Sequence, residues 1–320
     1  MRVLLTGGAG FVGANLLQEL SRRGHQTTVL LKPKTDRWRI ERGLPASVDV
    51  VAGDLAQAGD AERAVALARP ECIIHCAARG SYPAQSELVD IALSDVVGFA
   101  RLLEAAASSG CAHIINSGSS SEYGTLSAGP SEESPVAPNS AYAASKAWST
   151  WVGAACGRQL GVVVTTLRLY SAYGPLEDPS RLIPRVCAFG LRGEFPPFAE
   201  PGLVRDFVWI GDVVAAYVAV LEAGVPPGSE IYNIGSGRET RLDEVATIAG
   251  RVFGLAGEPH WEGYPARSWE TPRWFADPRK AARTYGWVPA VDLEEGLGRM
   301  KRWLENDPVL RARYERAARS

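Results

Sequence analysis

The sequence predicts a doubly wound α/β fold, a mostly parallel sheet with helices on both faces. Three observations carry that expectation. Short apolar runs bounded by Gly, Pro and Asp alternate with longer segments of helical period; a glycine-rich turn joins the first run to the first helix; and the alternation persists to about residue 170. In order, the strand-like runs are "RVLLTGG", "TTVLL", "VDVVAGD", "CIIHCAA", "AHIINSG" and "VVVTTLR". Helical segments fall around 11–23, 57–69, 86–109 and 141–160. Beyond residue 170 the rhythm fails and Pro, Gly and Trp become frequent, although "DFVWIGDVVAAYVAVLE" and "IYNIG" still read as core elements. The expected organisation is therefore a dinucleotide-binding domain over 1–170, with returning elements near 206–235. A smaller, partly interleaved substrate lobe is expected over 171–205 and 236–320. The tail "ENDPVLRARYERAARS" reads as a solvated terminal helix.

Composition narrows the function classes. A chain of 320 residues, 46% hydrophobic and 22% charged, is long enough to bury a large core. A formal net charge of -2 and an isoelectric point near 6.2 supply no basic field for a nucleic-acid backbone. No apolar run approaches the roughly 18 residues of a membrane span, and "MRVLLTGG" reaches its glycines too early for a secretory signal. The expectation is a cytoplasmic protein. The five cysteines, Cys72, Cys76, Cys111, Cys156 and Cys187, read mainly as buried thiols. His25, His75, His113 and His260 show no ligand spacing, and no metal site is expected.

"TGGAGFVG" places Gly7, Gly10 and Gly13 between the first strand and the first helix, with Phe11 and Val12 in the opening helical turn. Glycines there let the backbone turn tightly and approach a pyrophosphate, which the unpaired amides of the helix N-terminus then hold. The strand-turn-helix context makes this a Rossmann-type dinucleotide cradle. At the end of the second strand an acidic residue would bind the ribose hydroxyls and repel an added phosphate. Leu31 stands there instead, followed by Lys32, Lys34, Arg37 and Arg39, so the expected coenzyme is NADP, with NAD the alternative.

"YAASK" sets Tyr142 and Lys146 four residues apart, nearly in line on one helix face. An ammonium close to a phenol favours the phenolate and makes the tyrosine a usable proton donor or acceptor. Upstream, "NSGSSSEYG" ends the fifth strand in a cluster of hydroxyls able to hold a substrate oxygen. The combination points to an oxidoreductase.

The ordered set "TGGAGFVG", "GDL", "HCAA", "SSSEYG", "YAASK", "LRLYSAYGP", "VRDFVWIGDV", "YNIGSG" and "YGWVP" resembles the extended short-chain dehydrogenase/reductases, of the branch that modifies nucleotide-activated sugars, over nearly the whole chain. The resemblance implies that Asp54 and Leu55 flank the adenine, that Ala77 and Ala78 line the coenzyme, and that Ser119 is the catalytic hydroxyl beside Ser120. Tyr142 and Lys146 would complete the triad. Tyr170 and Ser171 would face nicotinamide and sugar, while Arg205 and Arg267 would grip the diphosphate of a nucleotide-sugar substrate. Asp95 and Ser171 depart from the asparagines usual in the family.

Three reactions share such a site. Related 4,6-dehydratases carry an acidic series before the Tyr-Gly, where this chain has Ser119, Ser120 and Ser121, with Glu122 one residue late and expected on the opposite face. A 4-epimerase holds NAD tightly, which the missing acid at position 31 disfavours. The expectation is therefore NADPH-dependent reduction of a nucleotide-linked 4-keto-6-deoxyhexose, with 4-epimerisation the alternative and a non-catalytic dinucleotide sensor the competing class. Ala144, Trp148, Trp151 and Ala155 form an apolar stripe opposite the Tyr-Lys pair, read as core packing against the neighbouring helix. Because relatives pair through the 86–109 and 141–160 helices, a homodimer is expected.

Overall fold

The computed structural model describes the chain apart from residues 42–43, 82–84, 86, 126–128, 262–271 and 319–320. β1 (Arg2–Thr6), α1 (Phe11–Arg22), β2 (Gln26–Leu31), β3 (Val48–Ala52), α2 (Asp60–Ala68) and β4 (Cys72–His75) follow in βαβ order. α3 (Leu88–Ile91) passes through a π-helical turn at Ala92–Val97 into α4 (Gly98–Ser109). After β5 (His113–Ser119) come a 3₁₀ turn at Ser120–Tyr123, α5 (Ala141–Leu160) and β6 (Val163–Leu169). Of the helix expected over 86–109, Leu88–Ser109 is continuous with a local widening, a feature frequent at functional sites.

The remaining elements are β7 (Ser171–Tyr173), α6 (Leu182–Gly190), β8 (Val204–Arg205), β9 (Phe207–Trp209), α7 (Ile210–Glu222), β10 (Glu230–Ile234), β11 (Thr240–Arg241), α8 (Leu242–Phe253), β12 (Arg273–Trp274), α9 (Arg279–Tyr285), α10 (Leu293–Glu305) and α11 (Pro308–Ala317). Seven strands form one sheet in the order β10-β6-β5-β4-β1-β2-β3. Every pairing in it is parallel. Order reverses between β1 and β4, the place where such sheets open a crevice beyond the carboxyl ends of their strands. β8, β11 and β12 form a small separate sheet, and β7 pairs with β9. The lobe so built lies over that crevice and supplies part of its wall.

Two apolar layers sandwich the large sheet. Leu16, Leu17 and Leu20 of α1 pack with Val213, Tyr217 and Leu221 of α7 on one face, and Phe99, Leu102 and Ala106 of α4 with Ala64 and Val65 of α2 on the other. Burial of this kind is the main favourable term in folding. Among the described residues no helix is long and apolar enough to cross a membrane.

Two sequence expectations fail. The stripe on α5 is not core: Ala144 and Ala155 are exposed, Trp151 is 54% exposed, and Trp148 is half-buried with its ring edge on Phe99. A helical period shows that a face is apolar without showing what covers it. The terminal helix is not solvated throughout. Leu310 and Tyr314 of α11 are buried, and the Tyr314 hydroxyl donates to the Glu177 carbonyl at 2.6 Å.

The lobe is tied to the sheet by Asp206, which is fully buried. Its Oδ1 accepts from the Ser236 amide and hydroxyl, and its Oδ2 from the amides of Gly237 and Ala276. Burial raises its pKa against the pull of those donors. Removing the carboxylate leaves four donors without their acceptor, one of them, the Ala276 amide, buried. Asp206→Ala should therefore lose about 3 kcal/mol or more of stability, read from urea denaturation followed by tryptophan fluorescence.

Candidate active site

The carboxyl edge of the sheet opens into a continuous cleft of about 1430 Å³, larger than one ordinary small-molecule site. Gly7, Gly10, Phe11, Val12 and Gly13 form one wall at the switch point. Gly7 sits at a φ of +74°, and a Cβ there would lie 2.5 Å from the Ala77 amide nitrogen. At Gly13 a Cβ would collide with the Gly7 carbonyl and come within 2.8 Å of Gly8 Cα. These close backbone approaches keep the first turn of α1 open toward the cleft, so its amides and the helix dipole suit a diphosphate. The cradle fits a dinucleotide on its own geometry.

Ser140 starts α5: its hydroxyl accepts from the Ala143 amide at 3.1 Å, an N-cap that follows a proline-containing loop. Tyr142 then falls in the first turn and Lys146 in the second. Lys146 is 4% exposed, and its ammonium donates to the Ser117 carbonyl at 2.9 Å and lies 5.9 Å from the centre of the Tyr142 ring. At the end of β4, burial and the Lys146 charge hold His75 down to about 3, so the ring is neutral, with Nδ1 2.8 Å from the Thr6 hydroxyl.

Ser119 caps the 3₁₀ turn that ends β5. Its oxygen accepts from the Ser121 amide and lies 2.7 Å from the Ser121 hydroxyl, while its own amide donates to Glu122 Oε1 at 2.9 Å. The other Glu122 oxygen takes the Arg168 guanidinium at 2.8 Å, with both side chains buried. Glu122 is thus neither solvated nor turned to the cleft. Arg168 stacks on Tyr123, and the Tyr123 hydroxyl donates to Asn233 Oδ1 at 2.8 Å. Burial raises the Tyr123 phenol to about 12, which suits a structural donor.

Of the residues expected from the sequence, Gly7, Gly10, Phe11, Val12, Gly13, Lys32, Leu55, Ala77, Ala78, Ser119, Ser120, Tyr142, Lys146, Tyr170, Ser171 and Arg205 all line this cleft. Asp54 does not. Its carboxylate instead lies 3.2 Å from the Lys32 ammonium and accepts from the Ala56 amide. Arg267 lies outside the described residues. Sequence reasoning missed Glu177, Arg181, Arg185 and Trp274, which also face the cleft. The two arginines open α6 four residues apart, a spacing visible in "SRLIPR".

The family model described as "NAD dependent epimerase/dehydratase family" matches residues 3–235. The chain belongs to that family. The UDP-glucose 4-epimerase of Mycolicibacterium smegmatis is 32% identical over 316 residues, covering 96% of this chain and 99% of its own length. The crystal structure of the UDP-glucose 4-epimerase of Thermotoga maritima with UDP-glucose has a TM-score of 0.87 at 28% identity, covering 96% of this chain and 99% of that one. The dTDP-glucose 4,6-dehydratase DesIV of Streptomyces venezuelae, solved with NAD, has a TM-score of 0.85 at 29% identity, covering 97% and 98%. The chain spans about half the length, 47%, of the trifunctional Arabidopsis thaliana dehydratase/epimerase/reductase proteins it also matches.

These relatives correct the expectation of NADP. DesIV, MoeE5, the Thermus thermophilus UDP-glucose 4-epimerase and WbmG of Bordetella bronchiseptica are each solved with NAD. The physical reason is in the loop after β2. The charge of Lys32 is engaged by Asp54, and Arg39 donates to the carbonyls of Leu176 and Ala9 and faces Asp178 at 3.9 Å. Asp36 also lines the cleft there. Basic residues adjacent in sequence are thus partly committed to the protein rather than to a 2'-phosphate. Gly13→Ala, which drives a methyl group into the Gly7 carbonyl, should weaken NAD binding at least tenfold, measured by calorimetric titration.

Proposed function

We propose that this chain is an NAD-dependent nucleotide-sugar 4-epimerase. The observation that carries the reading is the corner at residues 119–123, which presents serines beside Tyr142 while its one carboxylate, Glu122, is withdrawn into the ion pair with Arg168. Dehydration across carbons 5 and 6 needs an added acid and base at that corner. Epimerisation needs neither. The ketoreductase reading drew its support from an NADP-type ribose site and loses it with that site.

NAD, when bound, supplies the acceptor and later the donor of hydride. Tyr142 takes the proton from the sugar C4 hydroxyl as the C4 hydride leaves, and returns it after the ketone has presented its other face. Lys146, pinned by the Ser117 carbonyl, sets a fixed positive charge beside the phenolate. Ser119 holds the C4 oxygen: its hydroxyl oxygen accepts from the Ser121 amide, which leaves its hydrogen to be shared between the Ser121 hydroxyl and the substrate. Arg205, on the lobe side of the cleft, serves the diphosphate.

We also infer a homodimer. Leu88, Val89 and Leu93 are 69%, 70% and 40% exposed, and with Trp151 they form an apolar face on α3, the π-helical turn and α5, which pack against one another. A second copy would cover that face.

Supplied with NAD and UDP-glucose or UDP-galactose, the protein should interconvert the two with no net change in absorbance at the NADH band; consumption of NADPH with a 4-keto sugar would favour reduction instead. Tyr142→Phe should lower kcat by about 10²–10⁴ while NAD still binds. Unchanged turnover in that variant would remove the tyrosine from the mechanism. Light scattering should give twice the 34.3 kDa chain mass, and Trp151→Glu should return the monomer.

A further inference from the structure

Glu177 is a cleft residue that the mechanism above leaves without a task. It stands in the loop between β7 and α6, lines the cleft and is only 9% exposed. Among the described residues its buried Oε2 has no hydrogen-bond partner. Buried polar atoms are normally satisfied, so an orphaned carboxyl oxygen on a residue that lines the cleft calls for a partner, and a bound ligand is one that could supply it.

The loop is clamped against the dinucleotide cradle. Asn15 of α1 donates to the carbonyls of both Phe11 and Pro175, and Arg39 bridges the carbonyls of Leu176 and Ala9. The backbone of Glu177 is fixed from the other side by the Tyr314 hydroxyl. Leu176, just before it, holds a φ of +70°, a conformation costly for leucine and kept here by those bridges. A diphosphate seated at the N-terminus of α1 therefore lies on the side of the cleft that this loop encloses.

We propose that Glu177 is a proton-gated contact for the coenzyme diphosphate: as a neutral acid it donates a hydrogen bond to a phosphate oxygen, and as a carboxylate it repels that oxygen. The inference rests on the NAD reading above and extends it to a residue nothing else assigns. Burial raises the acid to about 8, with Asp178 pushing the same way and Arg181, the Gly174 amide and Arg39 pulling down. The other groups facing it are Cys187 of α6 and Tyr314 of α11, both of which burial raises well clear of the neutral range. The acid form therefore prevails below pH 8, and its loss as pH rises removes the donor and adds a negative charge.

The test is calorimetric binding to the full-length protein at pH 7 and pH 9 with four probes: NAD, ADP-ribose, adenosine and UDP-glucose. If only the acid form binds the diphosphate, the competent fraction falls about tenfold between those pH values, and Kd for NAD and ADP-ribose rises by about the same factor. Adenosine and UDP-glucose should bind equally at both, and Glu177→Gln should bind NAD equally at both. A matching fall for adenosine, or a Gln variant that keeps the wild-type fall, overturns the proposal. So does a fall for UDP-glucose in place of NAD, which would put the carboxyl against the substrate diphosphate. The wild-type comparison of ADP-ribose with adenosine decides the matter even if the variant folds poorly. Binding of NAD that ignores pH sinks this inference alone, whereas no NAD binding at any pH sinks the coenzyme reading with it.

Discussion

The buried pair of Glu122 and Arg168 spans the carboxyl ends of β5 and β6, and the shape of the active corner hangs from it. Both groups are withdrawn from water, a state that is costly unless every polar atom finds a partner. Glu122 meets that demand with one oxygen on Arg168 and the other on the Ser119 amide, whereas Arg168 keeps one buried nitrogen, Nη1, without a partner among the described residues. Arg168 lies over Tyr123, whose hydroxyl reaches Asn233 on β10, and Asn233 in turn donates to the Pro130 carbonyl. One ion pair thus joins the serine corner to the edge strand and to the loop that precedes α5. It also removes the only acid of that corner from the cleft, so a structural demand narrows the chemistry.

The opposite wall depends on backbone rather than charge. Parallel strands deliver their carboxyl ends to one edge, and the reversal of order between β1 and β4 parts the helices there. Gly7 and Gly13 let α1 begin close enough to that edge for its amides to face the opening. Across the cleft, the Ser140 cap sets the phase of α5 so that Tyr142 and Lys146 face inward and Trp151 outward. A single helix thereby presents Tyr142 and Lys146 to the cleft on one side and the exposed Trp151 on the other.

Much of this was legible before any coordinates. The βαβ rhythm, the glycine turn and the Tyr142–Lys146 spacing are local signals, each complete within a dozen residues. The misreadings are all long-range. The basic run after β2 suggested NADP because its neighbours in space were invisible: Asp54 is 22 residues from Lys32 and pairs with it, and Arg39 is spent on the 174–178 loop. The α5 stripe looked like core because periodicity reports polarity and not the neighbour. Glu122 is expected on the face away from the cleft, but its partner there, Arg168, stands 46 residues further along the chain and is supplied only by the fold.

The sequence by itself determined the sheet, the glycine turn and the placing of Tyr142 and Lys146 on one helix face, because each depends on the fixed pitch of a strand, turn or helix. Tertiary structure alone decided which charges remain available to a ligand. Lys32, Arg39 and Glu122 are bound to partners within the protein, while Glu177 keeps an oxygen that none of the described residues satisfies. Charge availability depends on distances across the fold and on exclusion of water, and neither is written in the order of residues along the chain.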